Sequence, residues 1–378
     1  MTRTPVVLLV FNRPELAARV GRIVAAAKPP RIYVIADGPR AHVASDAARV
    51  AATRDAIDAI DWPCPVIRDY VPENLGCGRR VASGIARVFD EVEEAIFVED
   101  DVLPDPSFFG FCDELLARYR DDDRVAMVSG TNALLRWKND VQDYHFTTLG
   151  SVWGWASWRR AWRHYDFAVR SFEDPAVRAR VATQIDNDEQ LAYRLDVTRQ
   201  VHDGEIDTWD YQWSWATVAG AGLTAVSAVN LVSNLGFGAD ATHTLHYNLV
   251  KANLPRFAAP PNLRGPAAVM ADRDFDREMF DREKGRASID RVLAEARTLL
   301  SAGRAIHALI IVDRFKSLGK TSAELDILRA EALLRLDRRA PAAAAIDAVL
   351  AREPDNAVAL ALRRRIAGDA EPAPFRHA

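Results

Sequence analysis

The 378-residue sequence has few cysteines, no excess of positive charge and no long apolar run. Its three cysteines, Cys64, Cys77 and Cys112, are too few for a disulfide framework and lack the spacing of a zinc ribbon. The formal net charge of -4 provides no basic field for nucleic acid. No stretch reaches the roughly 18 consecutive apolar residues of a membrane span. We therefore expect a cytoplasmic protein with no transmembrane segment and no nucleic-acid partner.

Several common catalytic motifs are also missing. The first predicted turn between a strand and a helix, residues 11–14, contains no glycine, which disfavours a nicotinamide dehydrogenase. A nucleotidyltransferase would need a glycine-rich, basic loop at the same place. Residues 319–321 (Gly-Lys-Thr) resemble the end of a P-loop but lack its upstream glycine and its strand. The sequence contains neither Gly-x-Ser-x-Gly nor His-Glu-x-x-His, which removes the commonest hydrolase mechanisms.

The first 100 residues alternate between short apolar runs and segments with helical periodicity. The runs at 5–11, 31–36, 65–70 and 95–98 are typical of strands buried on both faces. Strands that alternate with helices require crossover connections and a parallel sheet. The sequence therefore predicts an α/β fold with a mainly parallel, Rossmann-like sheet and helices on both faces.

The composition changes along the chain and predicts its organisation. Residues 1–130 form the alternating half, and residues 131–250 form a second half that contains most of the nine tryptophans. Residues 251–286 are rich in proline and then in charge, so we interpret them as a linker or arm. Residues 287–370 have helical periodicity, and 323–356 fit the 34-residue tetratricopeptide pattern. Residues 371–378 are expected to be a disordered tail.

Three consecutive carboxylates, Glu99, Asp100 and Asp101, follow the fourth predicted strand directly. Like charges crowded at the end of a buried strand are unfavourable unless a cation compensates them. Oxygen-only ligands suit Mg²⁺ or Mn²⁺, which keep coordination positions open for diphosphate oxygens. An acidic turn before a helix is the alternative interpretation.

Polar residues also follow the other three predicted strands. Arg13 follows the first strand, Asp37 the second, and Asn74 and Arg79 the third. Ligands of open α/β sheets bind at the carboxyl ends of the strands. The sequence therefore predicts that four loops direct polar side chains toward one edge of the sheet.

Several short segments of the sequence resemble those of a known family. Leu-Val-Phe-Asn-Arg-Pro at 9–14, Ile-Ala-Asp-Gly-Pro at 35–39, Glu-Asn-Leu-Gly at 73–76 and Val-Glu-Asp-Asp at 98–101 are similar to segments of GT-A fold, nucleotide-sugar-dependent glycosyltransferases. The usual motif of this family is Asp-x-Asp, and residues 99–101 have the form Glu-Asp-Asp. This form is similar to that of the N-acetylglucosaminyltransferases that begin complex N-glycan branching. The segments at 150–158, 209–213 and 234–243 resemble bacterial family-two-like glycosyltransferases. The resemblance covers residues 5–246.

The resemblance implies roles for individual residues. Arg13 and Asp37 would hold the nucleotide base and ribose, with Asn74 and Arg79 beside them. Glu99 and Asp100 would contact ribose or sugar hydroxyls, and Asp101 would ligate Mn²⁺ or Mg²⁺. A UDP-sugar is the favoured donor, and the acceptor would be a glycan, a lipid-linked saccharide or a protein. The expected setting is bacterial surface glycan synthesis, in the cytoplasm or at the periphery of the inner membrane.

The second half of the chain supplies further candidates. Inverting displacement needs a base on the acceptor side, and Asp210, between aromatic residues, is the first choice, with Asp207 as runner-up. A cap on the helix that follows is the structural alternative for Asp210. His243 is a candidate for the metal sphere. Trp153, Trp155 and Trp158 could stack on an acceptor sugar, or they could fill the core.

Two classes of function remain open. The first is a metal-dependent, inverting hexosyl- or N-acetylhexosaminyltransferase. The second is a non-catalytic scaffold built on a glycosyltransferase-like domain, with a protein partner bound by the C-terminal helices. The intact acidic motif at 99–101 favours the first. The helical region could dock such a partner or cap the main domain.

Overall fold

The structure is a computed structural model that describes residues 1–236, 253–284, 288–317 and 319–368. The chain divides into two compact units. Of the described residues, unit 1 contains 1–236 and 253–280, and unit 2 contains those from 281 onward. In the described residues no helix is both long enough and apolar enough to cross a bilayer.

Unit 1 contains strands and helices that alternate through its first hundred residues. Its strands are β1 Val6–Val10, β2 Ile32–Ala36, β3 Val66–Tyr70, β4 Glu94–Glu99, β5 Val102–Pro104, β6 Val125–Ser129, β7 Tyr144–Thr147, β8 Trp155–Trp158, β9 Leu223–Ser227 and β10 Val232–Asn234. Its helices are α1 Pro14–Ala27, α2 Asp46–Asp58, α3 Cys77–Glu91, α4 Ser107–Arg118, α5 Arg159–Trp162, α6 Pro175–Thr183, α7 Asp188–His202 and α8 Asp210–Ala219. Helix α9, Arg273–Glu283, begins in this unit and ends in unit 2.

Eight of the strands form one sheet, in the order β3-β2-β1-β4-β8-β6-β9-β7. Strands β3, β2, β1 and β4 are all parallel, as are β6 and β9. Strand β8 runs antiparallel to both β4 and β6, and β7 runs antiparallel to β9. The predicted α/β class is confirmed, and its first half has Rossmann-like alternation. The second half is a mixed sheet, which the sequence pattern does not reveal. Strands β5 and β10 form a separate antiparallel ribbon.

The sheet is buried on both faces because alternate residues of each strand enter different cores. In β1, Val6, Leu8 and Val10 pack in one core, together with residues of α1 and α4. Val7 and Leu9 pack in the other core, with residues of α3, α5 and α8. This two-sided burial explains why these strands appear in the sequence as continuous apolar runs.

The sequence pattern indicates Asn12 as a cap for α1, but the structure gives it another role. Arg13 occupies the N-cap position, and the cap has no side-chain hydrogen bond. The Asn12 amide instead donates to Asp46 at 2.9 Å, and Arg49 donates to the Asn12 carbonyl at 3.0 Å. Asn12 therefore joins the loop after β1 to the start of α2, a tertiary role that local spacing does not show.

The segment predicted to be a linker, residues 251–286, is more structured than its composition indicates. Its described residues 253–280 belong to unit 1, and Arg273–Glu283 is helical. Leu254, Leu263 and Phe275 are buried. These few apolar side chains are separated by proline and charge, so they have no periodicity in the sequence, yet each packs on the main domain.

Unit 2 contains five helices in its described residues, in addition to the end of α9. They are α10 Ile289–Ser301, α11 Ala305–Ser317, α12 Ala323–Arg335, α13 Arg339–Leu350 and α14 Ala357–Ala367. Helices α10, α12 and α14 begin at residues 289, 323 and 357, a constant step of 34 residues. Consecutive helices pack on each other. This step is the 34-residue period predicted for 323–356, and α10 and α11 fall on the degenerate helix pair that the sequence indicates at about 288–318.

A buried ion pair in unit 2 leads to a stability prediction. The Arg282 guanidinium donates to both carboxylate oxygens of Glu295, at 3.2 and 2.6 Å, and the side chains are 4% and 3% exposed. We expect Glu295→Ala to destabilise the packing of α9 on α10 by about 3 kcal/mol, because the buried guanidinium loses its bidentate partner. Hydrogen exchange in residues 288–317 measures this loss. Glu324→Ala is the control, since its pair with Arg297 is exposed and should contribute about 0.5 kcal/mol or less.

A buried histidine in β7 leads to a prediction about pH. Both ring nitrogens of His145 are buried without a hydrogen-bond partner among the described residues, and its ring lies 4.1 Å from that of Phe275. Burial lowers the pKa of His145 to about 3, against the opposing effect of Asp272. The unfolded chain therefore binds this proton more readily than the folded chain. Its stabilising contribution is complete above about pH 6.5 and falls by about 1.4 kcal/mol per pH unit below that, down to about pH 3.

We expect His145→Phe to reduce the slope of stability against pH between about pH 4 and 6. Denaturant unfolding at several pH values measures that slope. The control is His164→Gln, because His164 is exposed. Equal slopes for wild type and His145→Phe would contradict the assignment.

Candidate functional site

The carboxyl ends of β3, β2, β1 and β4 lie side by side, because these strands are adjacent and parallel. Glu99 is the last residue of β4 and pairs in register with Leu9 of β1. The Asp100 amide donates to the Leu9 carbonyl at 2.9 Å. The three carboxylates therefore start at the edge where the loop after β1 begins, as the sequence predicts.

Arg13 compensates part of this negative charge. Its guanidinium forms an ion pair with Asp101 and lies 3.4 Å from the nearer oxygen of Asp100. The other oxygen of Asp100 accepts a hydrogen bond from the Phe11 amide at 3.0 Å. The loop after β1 thus supplies a cation and a backbone donor to the carboxylates at the end of β4.

One guanidinium does not neutralise three carboxyl groups, of which Asp100 and Asp101 are buried and Glu99 is half-buried. Burial and the charges of Asp101, Asp100 and Asp210 raise the pKa of Glu99 well above its usual range. Burial and the charge of Asp101 raise the pKa of Asp100 to about 7, against the opposing effect of Arg13. Burial also raises the pKa of Asp101. Perturbed carboxyl groups gathered at a strand end are typical of functional sites that take up a cation.

Asp101 has one oxygen with no partner. Its Oδ1 atom is buried and has no hydrogen bond to any described residue, whereas Oδ2 pairs with Arg13. The backbone of Asp101 is fixed by the Leu235 amide, which donates to its carbonyl at 2.8 Å. A buried carboxylate oxygen without a donor is unfavourable, so this atom is the one on which a cation would act.

The residues at this edge fit a divalent cation that takes few ligands from the protein. Among the residues described, no group of three or more His, Cys, Asp or Glu side chains is arranged to hold a metal ion. The donors near Asp101 are all oxygen atoms, which suits Mg²⁺ or Mn²⁺ held by one carboxylate, water and substrate phosphates. His243, the other predicted ligand, lies outside the described residues.

The loop after β2 is organised by Asp37. One oxygen of this carboxylate accepts from the amides of Gly38 and Leu75, at 2.8 and 2.9 Å. The other accepts from the Asn74 side chain and the Gly76 amide, at 3.0 and 3.1 Å. Four hydrogen bonds fill the acceptor capacity of a carboxylate. Asp37 and Asn74 therefore hold the loops after β2 and β3 together, a role that the resemblance does not include.

Arg79 packs on an aromatic ring in this structure. It is exposed, and its guanidinium lies 5.6 Å from the ring centre of Phe167. Its neighbour Arg80 is buried, donates to the Ala36 carbonyl at 3.1 Å and pairs with Asp69 at 3.2 Å. Both arginines thus have contacts within the protein, and none of these contacts is with Glu99, Asp100 or Asp101.

The start of α8 approaches the same edge from the second half of the chain. A Cβ atom on Gly78 would collide with the Asp207 carboxylate and with the Thr208 carbonyl. Asp207 therefore lies at the N-terminus of α3, where a negative charge is favourable.

Asp210 is the first residue of α8 and is half-buried. One of its oxygens accepts from the Thr208 hydroxyl and from the Tyr211 amide, the latter at 3.0 Å. It does not occupy the cap position, which belongs to Trp209. Its charge contributes to the raised pKa of Glu99, after burial and the charges of Asp101 and Asp100. The second half of the chain therefore places one carboxylate near enough to the acidic cluster to affect Glu99.

Two of the three tryptophans predicted to bind an acceptor are core residues. Trp155 is 0% exposed and stacks on Phe97 at 4.3 Å, and Trp158 is 2% exposed. Neither can present a ring face to a sugar, because strand β8 lies inside the sheet and both of its faces are covered. The prediction is wrong for these two residues. Trp153, before β8, is half-buried.

Tyr165 is a further residue affected by the charge of Asp210, and sequence reasoning missed it. Its hydroxyl is buried without a hydrogen-bond partner among the described residues, and its ring stacks on Trp162 at 4.2 Å. Burial and the charges of Asp210 and Asp166 raise its pKa. Tyr165 lies in no motif, and its proximity to Asp210 arises only from the tertiary fold.

The chain matches no protein-family model, and no curated protein is significantly similar to it.

Proposed function

We propose that this chain is a GT-A type, metal-dependent and inverting glycosyltransferase that transfers a sugar from a nucleotide-diphosphate sugar. A UDP-sugar is the favoured donor, and a saccharide, a lipid-linked saccharide or a protein is the acceptor. The observation that supports it best is the gathering of carboxylates from both halves of the chain at one sheet edge. Glu99 ends β4, Asp100 and Asp101 follow it beside Arg13, and Asp210 at the start of α8 is close enough for its charge to raise the pKa of Glu99.

This arrangement supports a separation of roles. The leaving diphosphate carries negative charge, so it belongs beside Arg13 and beside a divalent cation that the unpartnered oxygen of Asp101 would hold. A bound Mn²⁺ or Mg²⁺ would act as a Lewis acid that stabilises the charge on the leaving diphosphate. The acceptor belongs on the opposite side of the sugar, toward α8.

Asp210 is the proposed base. As the acceptor oxygen forms a bond to the anomeric carbon, the bond from that carbon to the diphosphate oxygen breaks, and its electron pair leaves with the diphosphate. The acceptor hydroxyl gives its proton to the Asp210 carboxylate. Direct displacement from the opposite face inverts the anomeric configuration. Asp207 is the less suitable base because its carboxylate lies against the start of α3.

A second candidate is a non-catalytic scaffold, favoured by the regular helices of unit 2. Their 34-residue spacing is typical of tetratricopeptide-like repeats, which commonly bind protein partners. Such a scaffold would be expected not to bind a nucleotide-sugar donor.

A thermal-shift screen separates the two. We expect one of the UDP-, GDP-, dTDP- and CMP-sugars, supplied with Mn²⁺, to raise the unfolding temperature of the full chain. At 100 times its dissociation constant a ligand stabilises the folded state by about 2.7 kcal/mol. No shift with any of these donors would contradict the proposed transferase and favour the scaffold.

A further inference from the structure

The ion pair between Arg13 and Asp101 lies where the proposed donor diphosphate and metal ion would bind. Both side chains are largely buried, with exposed fractions of 14% and 11%. Asp101 uses Oδ2 for this pair, and its Oδ1 atom has no partner among the described residues. One oxygen of the Asp101 carboxylate therefore already pairs with a cationic side chain of the protein, and the other oxygen is left for a further cation.

The pair is also tightly enclosed. A Cβ atom on Gly236 would collide with Asp101 Oδ2 and would lie 3.1 Å from the Arg13 guanidinium. The Leu235 amide fixes the backbone of Asp101. Little room remains for a third group at Oδ2 while Arg13 is there, and a divalent cation beside the guanidinium would meet repulsion between like charges.

The Arg13 backbone is anchored independently of its guanidinium. Its carbonyl accepts from the Ala17 amide at 2.9 Å in the first turn of α1, and Pro14 follows it. The backbone is thus anchored, while the long side chain keeps its rotatable bonds. A guanidinium binds carboxylate and phosphate through the same planar set of donors.

From these contacts we infer that Arg13 is a movable counter-cation of Asp101. Without ligand, the Arg13 guanidinium pairs with the Asp101 carboxylate. When a divalent cation binds to Asp101, the guanidinium leaves that carboxylate and pairs with the diphosphate of the donor. The inference rests on the proposed function for the identity of the diphosphate. Its first half, competition between Arg13 and a divalent cation for Asp101, is independent of that function.

The test compares Arg13→Gln with wild type in two titrations of the full chain. The first uses Mn²⁺ alone, followed by electron paramagnetic resonance of the free ion. The second uses UDP in saturating Mn²⁺, followed by calorimetry. We expect Mn²⁺ to bind Arg13→Gln at least about tenfold more tightly, and UDP at least about tenfold more weakly, because one charge-assisted contact is worth about 1.5 kcal/mol or more.

Arg170→Gln is the matched control, since it breaks an Arg–Asp pair at an exposed position. It should change neither affinity. Arg13→Lys keeps the charge but loses the planar donor set, so its affinity for UDP should lie between those of wild type and Arg13→Gln. It also serves as the test variant if Arg13→Gln does not fold, with the same directions of change expected.

Opposite signs of the two changes are the decisive result, because a purely structural arginine would weaken both ligands together. Changes of the same sign, or no change in Mn²⁺ affinity, overturn the inference. If wild type binds no UDP with or without Mn²⁺, the UDP-sugar donor of the proposed function is contradicted. The titration with Mn²⁺ alone then still decides whether Arg13 competes for Asp101.

Discussion

Asp101→Asn is expected to lower the affinity for UDP in the presence of Mn²⁺ by at least about 100-fold, because a charge-assisted contact worth about 3 kcal/mol is lost. Asparagine keeps the shape of the side chain but removes the charge that would hold the cation. The fold should remain intact, since the cluster loses one of three crowded carboxylates. Calorimetric titration with UDP and Mn²⁺ measures the effect.

Asp58→Asn is the matched control for this substitution. Asp58 pairs with Arg68 at an exposed site, and its loss should not change UDP affinity. With excess chelator, Asp101→Asn should bind UDP no more weakly than wild type does, because the loss concerns only the metal-dependent part. An Asp101→Asn protein with near-normal affinity in Mn²⁺ would contradict the assignment of this residue.

The second large effect is expected at Asp210. Asp210→Asn should lower kcat by about 100-fold or more, with donor binding nearly unchanged, because a base that takes the acceptor proton acts in the transition state. Steady-state kinetics with the donor identified by the thermal-shift screen would measure the change. Proton NMR of the wild-type product should show inverted anomeric configuration.

Asp207→Asn distinguishes the two candidate bases. Its carboxylate lies at the N-terminus of α3, where a charge is worth about 0.3 to 1 kcal/mol, so kcat should fall by less than about fivefold. A larger loss of kcat in Asp207→Asn than in Asp210→Asn would assign the role of base to Asp207 and not to Asp210. A product with retained anomeric configuration would contradict direct displacement, and with it the role of either carboxylate as the base in that step.

The first half of the fold could be predicted because its signals are local. The strands around Val6–Val10 and Ile32–Ala36 are buried on both faces and therefore appear as uninterrupted apolar runs. Since these strands are parallel neighbours, the residues that follow them meet at one edge. The acidic cluster and its partner Arg13 were therefore predictable in place.

What the sequence could not show depends on contacts between distant segments. Trp155 and Trp158 resemble a binding platform, because closely spaced tryptophans that follow a glycine look the same in a cleft and in a central strand. Only the insertion of β8 between β4 and β6 buries them. The saturation of Asp37 by donors from residues 74–76 is likewise a result of the tertiary fold. The mixture of parallel and antiparallel strands in the second half of the sheet also results from contacts between distant segments.

The most direct test of the proposed donor site is a calorimetric titration of the wild-type chain with UDP, once with Mn²⁺ and once with excess chelator. We expect saturable binding with Mn²⁺ and at least about tenfold weaker binding in chelator, since the cation contributes charge-assisted contacts to the diphosphate. Equal affinity under the two conditions, or no binding in either, would contradict a metal-dependent nucleotide-sugar site at Asp101.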